Sequence, residues 1–369
     1  MTGFSFAFDE ITLVLFTTLA PSGAVAYLLM SLPVMLGRAT GDAARRLNQL
    51  TCLPLVIAMV GLVASATHLG NPSNALYVFT GVGRSPLSTE VGCAVAFLAL
   101  AGIYWLYSFA EHPRRGLQRG LLAAIDVAIV AFVVAVAFAY HVDTIITWSL
   151  PLVPASLVLN SLVGGPLIAL VGFALARWPV SRAALCGLAA AAFVANTVVY
   201  VVLGAWLHPL ANELATVGQL VPAYPAFAAT FVLLSACGIA LSWRAADGAQ
   251  GRKAASSGQA MPARAVEPLT VAAAPAEEGD ATEPLAVADA PAAEPLAVAA
   301  APAEQGDAAE PLAVADAPAE QGDAPAANGL PGDLHYVVVR AIGALLALAG
   351  IFVMRFVFYM THLTVGLGV

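Results

Sequence analysis

The chain has 369 residues, of which 60% are hydrophobic and only 10% are charged. Soluble domains carry roughly 25% charged residues, so this composition excludes an ordinary soluble protein and indicates an integral membrane protein. The net charge of -8 comes mainly from one segment, because 14 of the 23 acidic residues lie between Glu267 and Asp333, where there is no Lys or Arg. The basic residues are scattered in short loops, which argues against a nucleic-acid partner.

Eight apolar runs are long enough to cross about 30 Å of membrane hydrocarbon, which takes ~20 residues of helix. We therefore predict an all-α integral membrane protein, a bundle of eight transmembrane helices. The first run lacks the positively charged start of a secretory signal, so we expect it to be a permanent span. The runs cover residues 11–36, 49–70, 88–110, 120–142, 153–176, 183–207, 223–243 and 337–360.

The positions of the basic residues predict how the bundle is oriented. Twelve of the fifteen basic residues lie in the loops after the first, third, fifth and seventh runs. By the positive-inside rule these loops are cytoplasmic, and both chain termini lie on the outer (periplasmic) side. The twelve residues are Arg38, Arg45, Arg46, Arg114, Arg115, Arg119, Arg177, Arg182, Arg244, Arg252, Lys253 and Arg264.

The composition changes abruptly between the seventh and eighth runs to Ala, Pro, Glu, Gly and Asp. The triplet Glu-Pro-Leu begins at residues 267, 283, 294 and 310, so the larger unit repeats every 27 residues. Few aliphatic residues and regular prolines leave too little to bury a core. We therefore predict three segments: membrane helices 1–7 in 1–244, a disordered cytoplasmic loop (an Ala/Pro/Glu-rich repeat insertion) in 245–334, and helix 8 with a short outer tail in 335–369.

The sequence lacks the usual signatures of a bound redox centre. The four cysteines are single residues in four different runs, without the spacing that holds an iron-sulfur cluster, and we interpret them as buried structural thiols. Haem would need histidines facing one another from within the spans, whereas all six histidines lie near run ends or in loops. We expect no haem, iron-sulfur cluster or metal on this chain, and no catalytic side chain. The residues concerned are Cys52, Cys93, Cys186, Cys237, His68, His112, His141, His208, His335 and His362.

The stretch from His68 to Glu90 joins the second and third runs and places a histidine, Arg84 and a glutamate at one membrane surface. Ionisable groups beside apolar helices commonly handle protons, ions or polar head groups. The short connection makes the two helices neighbours, so we expect His68 and Glu90 to approach each other, with Ser88 as the N-cap of the third helix. We interpret the stretch as part of a quinol site. A neutral imidazole is a suitable acceptor for the proton of a quinol hydroxyl, and the carboxylate would pass that proton outward. The alternative is a helix-end histidine and a capped glutamate without a role in chemistry.

The eighth run contains Arg355, with Tyr359 and His362 following at i+4 and i+7 on one helix face. A buried guanidinium is costly and is normally paired or faces a wet cavity. We therefore expect Arg355 to meet the carboxylate of Glu90 or Asp143; snorkelling to the outer interface is the alternative. The residues predicted to bind quinol or to transfer its protons are His68, Glu90, Arg355, Tyr359, His362, Asp143 and Arg84.

Two features inside the spans have more than one interpretation. Asp126 lies within the fourth run and is part of a proton relay, a carboxylate satisfied by a partner, or a carboxylate that reaches the membrane interface. Gly164, Gly165 and Pro166 allow two helices to pack closely or introduce a kink.

Five short segments, in their order along the chain, resemble the membrane anchor subunit of dimethyl sulfoxide reductase, the DmsC family. The resemblance covers the chain apart from residues 245–333, where the acidic repeat is a departure that leaves the role of the cytoplasmic face open. The segments are THLGNP (67–72), VGRSPLSTE (82–90), VDTIITW (142–148), GGPL (164–167) and RFVFYMTHLTVG (355–366).

The resemblance implies a subunit without its own cofactor that oxidises menaquinol in anaerobic respiration. It implies two partners on the outer face, a molybdopterin catalytic subunit and a four-cluster ferredoxin-like iron-sulfur subunit that receives the electrons. It also implies that the residues at the positions of His68 and Glu90 belong to the quinol site.

Three alternatives stay open at this point. A polysulfide-reductase type of anchor would use the same fold with another catalytic partner. A secondary transporter would use Arg355 and Asp126 as substrate or proton sites, although the two halves of the chain show no inverted repeat. A purely structural anchor would have lost its quinol site.

Overall fold

The computed structural model describes residues 3–68, 72–111, 113–212, 215–245 and 331–363. Within these ranges the secondary structure is helical, apart from one isolated bridge between Ala211 and Thr216. A 3-10 helix covers Pro72–Gly81. The α-helices of the described residues are α1 (Gly3–Asp9), α2 (Ile11–Met35), α3 (Gly41–Leu50), α4 (Cys52–Thr67), α5 (Pro86–Tyr107), α6 (Arg115–Ala139), α7 (Leu152–Leu175), α8 (Arg182–Leu207), α9 (Val217–Leu220), α10 (Tyr224–Arg244) and α11 (Pro331–Met360).

Eight helical segments of the described residues are long and apolar enough to cross a membrane, which confirms the predicted number of candidate spans. Seven of the eight consist of one helix each, and the remaining one combines α3 and α4 into Gly41–Thr67. The sequence predicts only residues 49–70 for this span, because α3 is amphipathic: Arg45 and Arg46 are exposed while Leu47 is buried. An amphipathic helix such as α3 is not recognised in the sequence as an apolar run.

The predicted insertion at 245–334 lies outside the described residues, apart from its two ends. Ala245 follows α10 directly, and residues 331–334 already belong to α11. The boundary between the insertion and the last helix is therefore four residues earlier than predicted.

The centre of the bundle is formed by α2 and α7, in each of which 72% of the most apolar stretch is buried. The corresponding share in the other candidate spans is 22% to 44%. Small residues allow this central packing: a Cβ added to Gly165 of α7 would lie 2.5 Å from the Val25 side chain of α2. Gly61 of α4 similarly faces the backbone of Ala20 at 2.8 Å. Close approach of this kind stabilises helix pairs where lipid provides no hydrophobic driving force.

The last helix, α11, packs against α10 and also against α1, α2 and α7. Gly238 of α10 and Gly343 of α11 lie against each other's backbone, so the two helices are in close contact there. In contrast, α5 packs mainly against α6 and touches α4 only lightly. The second and third candidate spans are therefore adjacent in sequence without being close packing partners.

We predict that Gly165→Ala destabilises the protein by about 1–3 kcal/mol, because the added methyl group overpacks the contact with Val25. Gly187→Ala in α8 is the matched control, since nothing lies within 4 Å of a Cβ built there. Thermal unfolding of the two variants in detergent measures the difference. An equal midpoint of thermal unfolding for the Gly165 and Gly187 variants would show that α2 and α7 are not tightly packed where they cross.

Candidate functional site

One end of the bundle, called here the histidine end, carries His68, His141, His208 and His362. It is the end at which α2, α5, α7 and α10 begin and at which α4, α6, α8 and α11 finish. The other end, called here the arginine end, carries the arginines that flank the opposite helix termini.

His68 pairs with Glu10, not with Glu90. The His68 Nε2 atom lies 3.2 Å from Glu10 Oε2, and the two side chains are 42% and 29% exposed. The reason is geometric: His68 is the C-cap of α4 and Glu10 is the N-cap of α2, and these two helices are antiparallel and closely packed. The predicted approach of His68 and Glu90 requires α4 and α5 to be packing partners, and the contact between those helices is slight.

Glu90 is buried near the start of α5, with 3% of its surface exposed. Its Oε2 atom has no hydrogen-bond partner among the described residues. The N-cap of α5 is Ser85, whose side chain accepts a hydrogen bond from the Ser88 N–H, so the prediction of Ser88 as the N-cap is wrong. Pro86 occupies the first helical position and fixes the start of the helix earlier than expected.

Arg355 is 1% exposed and forms no ion pair with Glu90 or Asp143, so the expected pairing is wrong. Its Nε donates a hydrogen bond of 3.0 Å to Thr17 Oγ1 of α2. The guanidinium carbon lies 4.1 Å from the centre of the Phe358 ring, within the range of a cation–π contact. Its Nη2 atom is buried and has no hydrogen-bond partner among the described residues.

A stacked column of side chains connects Arg355 to the histidine end. Phe358 stacks on Trp148 with ring centres 4.5 Å apart, and Trp148 stacks on His362 at 5.2 Å. The loop that carries Trp148 is held against the end of α11, because the Trp148 indole N–H donates to the Phe358 carbonyl at 3.3 Å. Thr147 adds a second bond of 2.6 Å to the Thr361 carbonyl. Trp148 is thus part of the candidate site, although its position in the sequence is equally typical of an interfacial belt residue.

Tyr140 and Tyr359 lie beside this column. Tyr359 is 1% exposed, and its ring contacts Tyr140 at 6.1 Å and Trp148 at 5.6 Å. Burial raises the pKa of Tyr140 well above its usual value; the charges of Tyr359 and Glu90 raise it further, and the charge of Arg355 lowers it. The Tyr140 hydroxyl therefore lies within the electrostatic reach of both Glu90 and Arg355.

His362 lies just beyond the last turn of α11, between Trp148 and Phe6. Burial lowers the pKa of its imidazole, and the charge of Glu10 acts in the opposite direction. At neutral pH the imidazole is therefore uncharged. Glu10 therefore interacts with both histidines: it pairs with His68, and its charge raises the pKa of His362.

Two predicted site residues lie away from this cluster. Asp143 is exposed and forms no hydrogen bond or ion pair in the described part of the chain. Arg84 is also exposed, and its Nη2 donates to the Thr80 carbonyl at 2.7 Å, within its own connecting segment. The structure brings together Arg355, Tyr359 and His362 along the aromatic column. It pairs His68 with Glu10, whose charge acts on His362.

Sequence reasoning misses Glu10, Thr17 and Tyr140. In the sequence Glu10 is simply the residue before the first span, although an acidic N-cap beside a histidine C-cap is a detectable pattern once two helices are known to pair. Thr17 is one hydroxyl in an apolar run and gives no signal by itself.

Two cavities lie near the candidate site. The first, about 30 Å³, is lined by Arg355, Thr147, Ser156, Tyr200 and other residues of α7, α8 and α11. It has room for a water molecule but not for an aromatic head group. The second, about 370 Å³, is apolar and lies between α8, α9 and α10, with His208 and Tyr224 in its wall.

Other predicted features also have clear outcomes. The Ser31 hydroxyl, with its single proton, donates to the Asp126 carboxylate, whose two oxygens lie 2.8 and 3.1 Å away, and this favours a satisfied carboxylate over a proton relay. Of the cysteines only Cys186 is buried; Cys52 and Cys93 are half-buried and Cys237 is exposed, so the expectation of four buried thiols is wrong.

The chain is similar to known membrane anchor subunits. Residues 5–251 match the family described as DMSO reductase anchor subunit (DmsC). This range contains Glu10, His68 and Glu90 but not Arg355 or His362, which lie in the segment after the insertion.

Curated relatives have names from the same family. The C subunit of anaerobic dimethyl sulfoxide reductase from Escherichia coli (strain K12) is 28% identical over 236 residues, which is 63% of this chain and 82% of that protein. The corresponding C subunit from Haemophilus influenzae is 30% identical over 158 residues, 42% of this chain and 56% of that protein. The YnfH subunit of anaerobic dimethyl sulfoxide reductase from Escherichia coli is 26% identical over 231 residues, 62% of this chain and 81% of that protein.

We predict that Glu10→Gln lowers the pKa of His362 further, because the substitution removes the negative charge that opposes the effect of burial. Glu111→Gln, at the arginine end, is the matched control and leaves that pKa unchanged. NMR titration of the protein labelled at histidine measures both. A rise in the pKa of His362, or the same shift in the control, would contradict the placement of Glu10.

Proposed function

The chain belongs to the DMSO reductase anchor subunit (DmsC) family, and from this we propose that it oxidises menaquinol at the histidine end of the bundle. The family and the eight candidate spans identify a multi-pass membrane anchor of a DMSO reductase-type complex.

The observation that carries the proposal is the contact of 3.2 Å between His68 Nε2 and Glu10 Oε2. Both side chains are partly exposed, so a head group entering from the membrane edge can reach them. The charge of Glu10 also acts on His362, whereas the cavity next to Arg355 is too small for a quinol ring. The docking position is therefore the rim of the histidine end, not the interior of the bundle.

Oxidation of a quinol releases two electrons and two protons. A neutral imidazole accepts a proton from one quinol hydroxyl, and an adjacent carboxylate orients the ring and stabilises the imidazolium that forms. His68 and Glu10 have this arrangement, with the carboxylate partly exposed so that the proton can leave to water. His362, the last ring of the stacked column, provides a flat surface against which an aromatic head group stacks.

Glu90 and Arg355 have supporting roles in this proposal. Glu90 is a buried carboxylate with an oxygen that lacks a partner among the described residues, and its charge acts on Tyr140. We assign the second proton to this carboxylate. The charge of Arg355 favours loss of protons from the quinol, because it stabilises negative charge that develops nearby.

The two electrons leave through partner subunits. We propose a ferredoxin-like iron-sulfur subunit as the direct acceptor and a molybdopterin catalytic subunit beyond it, both on the outer face of the bacterial inner membrane. The three relatives are all named as parts of anaerobic dimethyl sulfoxide reductase, which supports this type of complex over a polysulfide-reductase type. The arginine end is then cytoplasmic, in agreement with the positive-inside rule.

We predict that His68→Gln and Glu10→Gln each lower the menaquinol-dependent rate of the assembled complex. General acid–base groups contribute about 10²-fold or more, so we expect the His68 variant to lose on the order of a hundredfold. His208→Gln is the matched control, since His208 is an exposed histidine at the same end and outside the proposed site.

A reduced viologen, which donates electrons directly to the iron-sulfur subunit, separates this effect from failed assembly. The membrane-bound viologen-dependent rate should stay unchanged in all three variants. A wild-type quinol-dependent rate in the His68 variant would refute the proposed site.

A further inference from the structure

A cavity of about 420 Å³ lies at the arginine end, far along the bundle from the proposed quinol site. Its wall is formed by the end of α2, the start of α3, the end of α5 and the start of α6. It contains four arginines and only two acidic residues. The charged lining residues are Arg45, Arg114, Arg115, Arg119, Asp42 and Glu111.

Among the residues that the structure describes, the two acidic side chains only partly balance the positive charge of this cavity. In the described part of the chain, no ion pair joins any of the four arginines to Asp42 or Glu111. Arg45 donates a long hydrogen bond of 3.4 Å to the backbone carbonyl of Glu111, which carries no charge. The guanidinium of Arg119 packs directly over Gly37, where no side chain separates it from the loop.

Two helix starts add backbone donors to the same cavity. Helix α3 begins at Gly41 and α6 begins at Arg115, and neither N-cap residue, Thr40 or Arg114, makes a side-chain capping hydrogen bond. The first N–H groups of a helix have no partner within the helix and lie at the positive end of its dipole. An anion with several oxygens satisfies such groups together with guanidinium donors.

Exposed apolar side chains, called here the apolar rim, lie next to the cavity-lining residues in the sequence. Leu36, Leu106, Phe109 and Leu117 adjoin lining residues and are between 48% and 68% exposed. These side chains lie where the candidate spans end, so they face lipid at the edge of the membrane. A ligand that combines a phosphate with acyl chains would therefore contact both parts of the surface.

We propose that this cavity binds a phosphate group, and the apolar rim favours the head group of an anionic phospholipid over free phosphate as its source. Bound there, the phosphate bridges the ends of α2 and α5 to the starts of α3 and α6. The site is independent of the proposed quinol chemistry at the opposite end.

The test is native mass spectrometry of the full-length protein, stripped of lipid in detergent. The protein is titrated separately with phosphatidylglycerol, phosphatidylcholine and inorganic phosphate. The cavity variant is Arg45→Gln/Arg119→Gln. The matched control is Arg177→Gln/Arg244→Gln, which removes the same charge from exposed arginines at the same end that do not line the cavity.

We expect phosphatidylglycerol to bind more tightly than phosphatidylcholine, and the cavity variant to weaken that binding about thirtyfold, since each arginine near a membrane surface contributes roughly fivefold. The control should bind like the wild type. Saturable binding of inorganic phosphate that the cavity variant loses, without a preference for phosphatidylglycerol, would support the phosphate site with free phosphate as its source. Absence of binding in all three titrations, or equal losses in the two variants, would overturn the proposal.

Discussion

The close packing of α2 at the centre of the bundle is the constraint on which the candidate site depends. Because glycines of α4 and α7 allow those helices to approach α2 at backbone distance, the ends of the helices are fixed relative to one another. This places the C-cap His68 beside the N-cap Glu10. The same helix provides Thr17 to Arg355 of α11 and Ser31 to Asp126 of α6. One central helix therefore sets the positions of the polar side chains on three others.

Arg355 illustrates how a buried charge is accommodated without a carboxylate. Even at the centre of a membrane helix an arginine costs about 2.5–3.5 kcal/mol on insertion scales, and Arg355 lies close to the end of α11, which finishes at Met360. A cation–π contact contributes about 0.5–2 kcal/mol, and a hydrogen bond to a charged group about 1.5–3 kcal/mol. Phe358 and Thr17 supply one of each. The two contributions together are comparable to the cost, so an acidic partner is not required, and the charge of Arg355 stays available to act on a ligand.

The eight spans could be predicted from the sequence because hydrophobic runs respond directly to the membrane, and each span is defined by its own residues. The composition of the site was partly predictable for the same reason: His68, Glu90 and Arg355 are unusual residues in their surroundings. The partners of these residues could not be predicted from the sequence, because they depend on which helices are in contact. Connection length suggests that α4 packs on α5, whereas glycines spaced along α2, α4 and α7 decide that α4 packs on α2. Thr17 and Trp148 are ordinary residues whose role arises only from tertiary contacts.

A quinol head group docked at the rim formed by Glu10, His68 and His362 is the central element of the proposed function. The most direct measurement is photo-crosslinking of the membrane-embedded protein with an azido-menaquinol analogue, followed by peptide mapping. We expect saturable labelling of one site per protein molecule, in the segments around residues 6–17, 64–68 and 358–363, which excess menaquinol suppresses. Labelling confined to the apolar cavity between α8, α9 and α10, or labelling that does not saturate, would contradict this docking position.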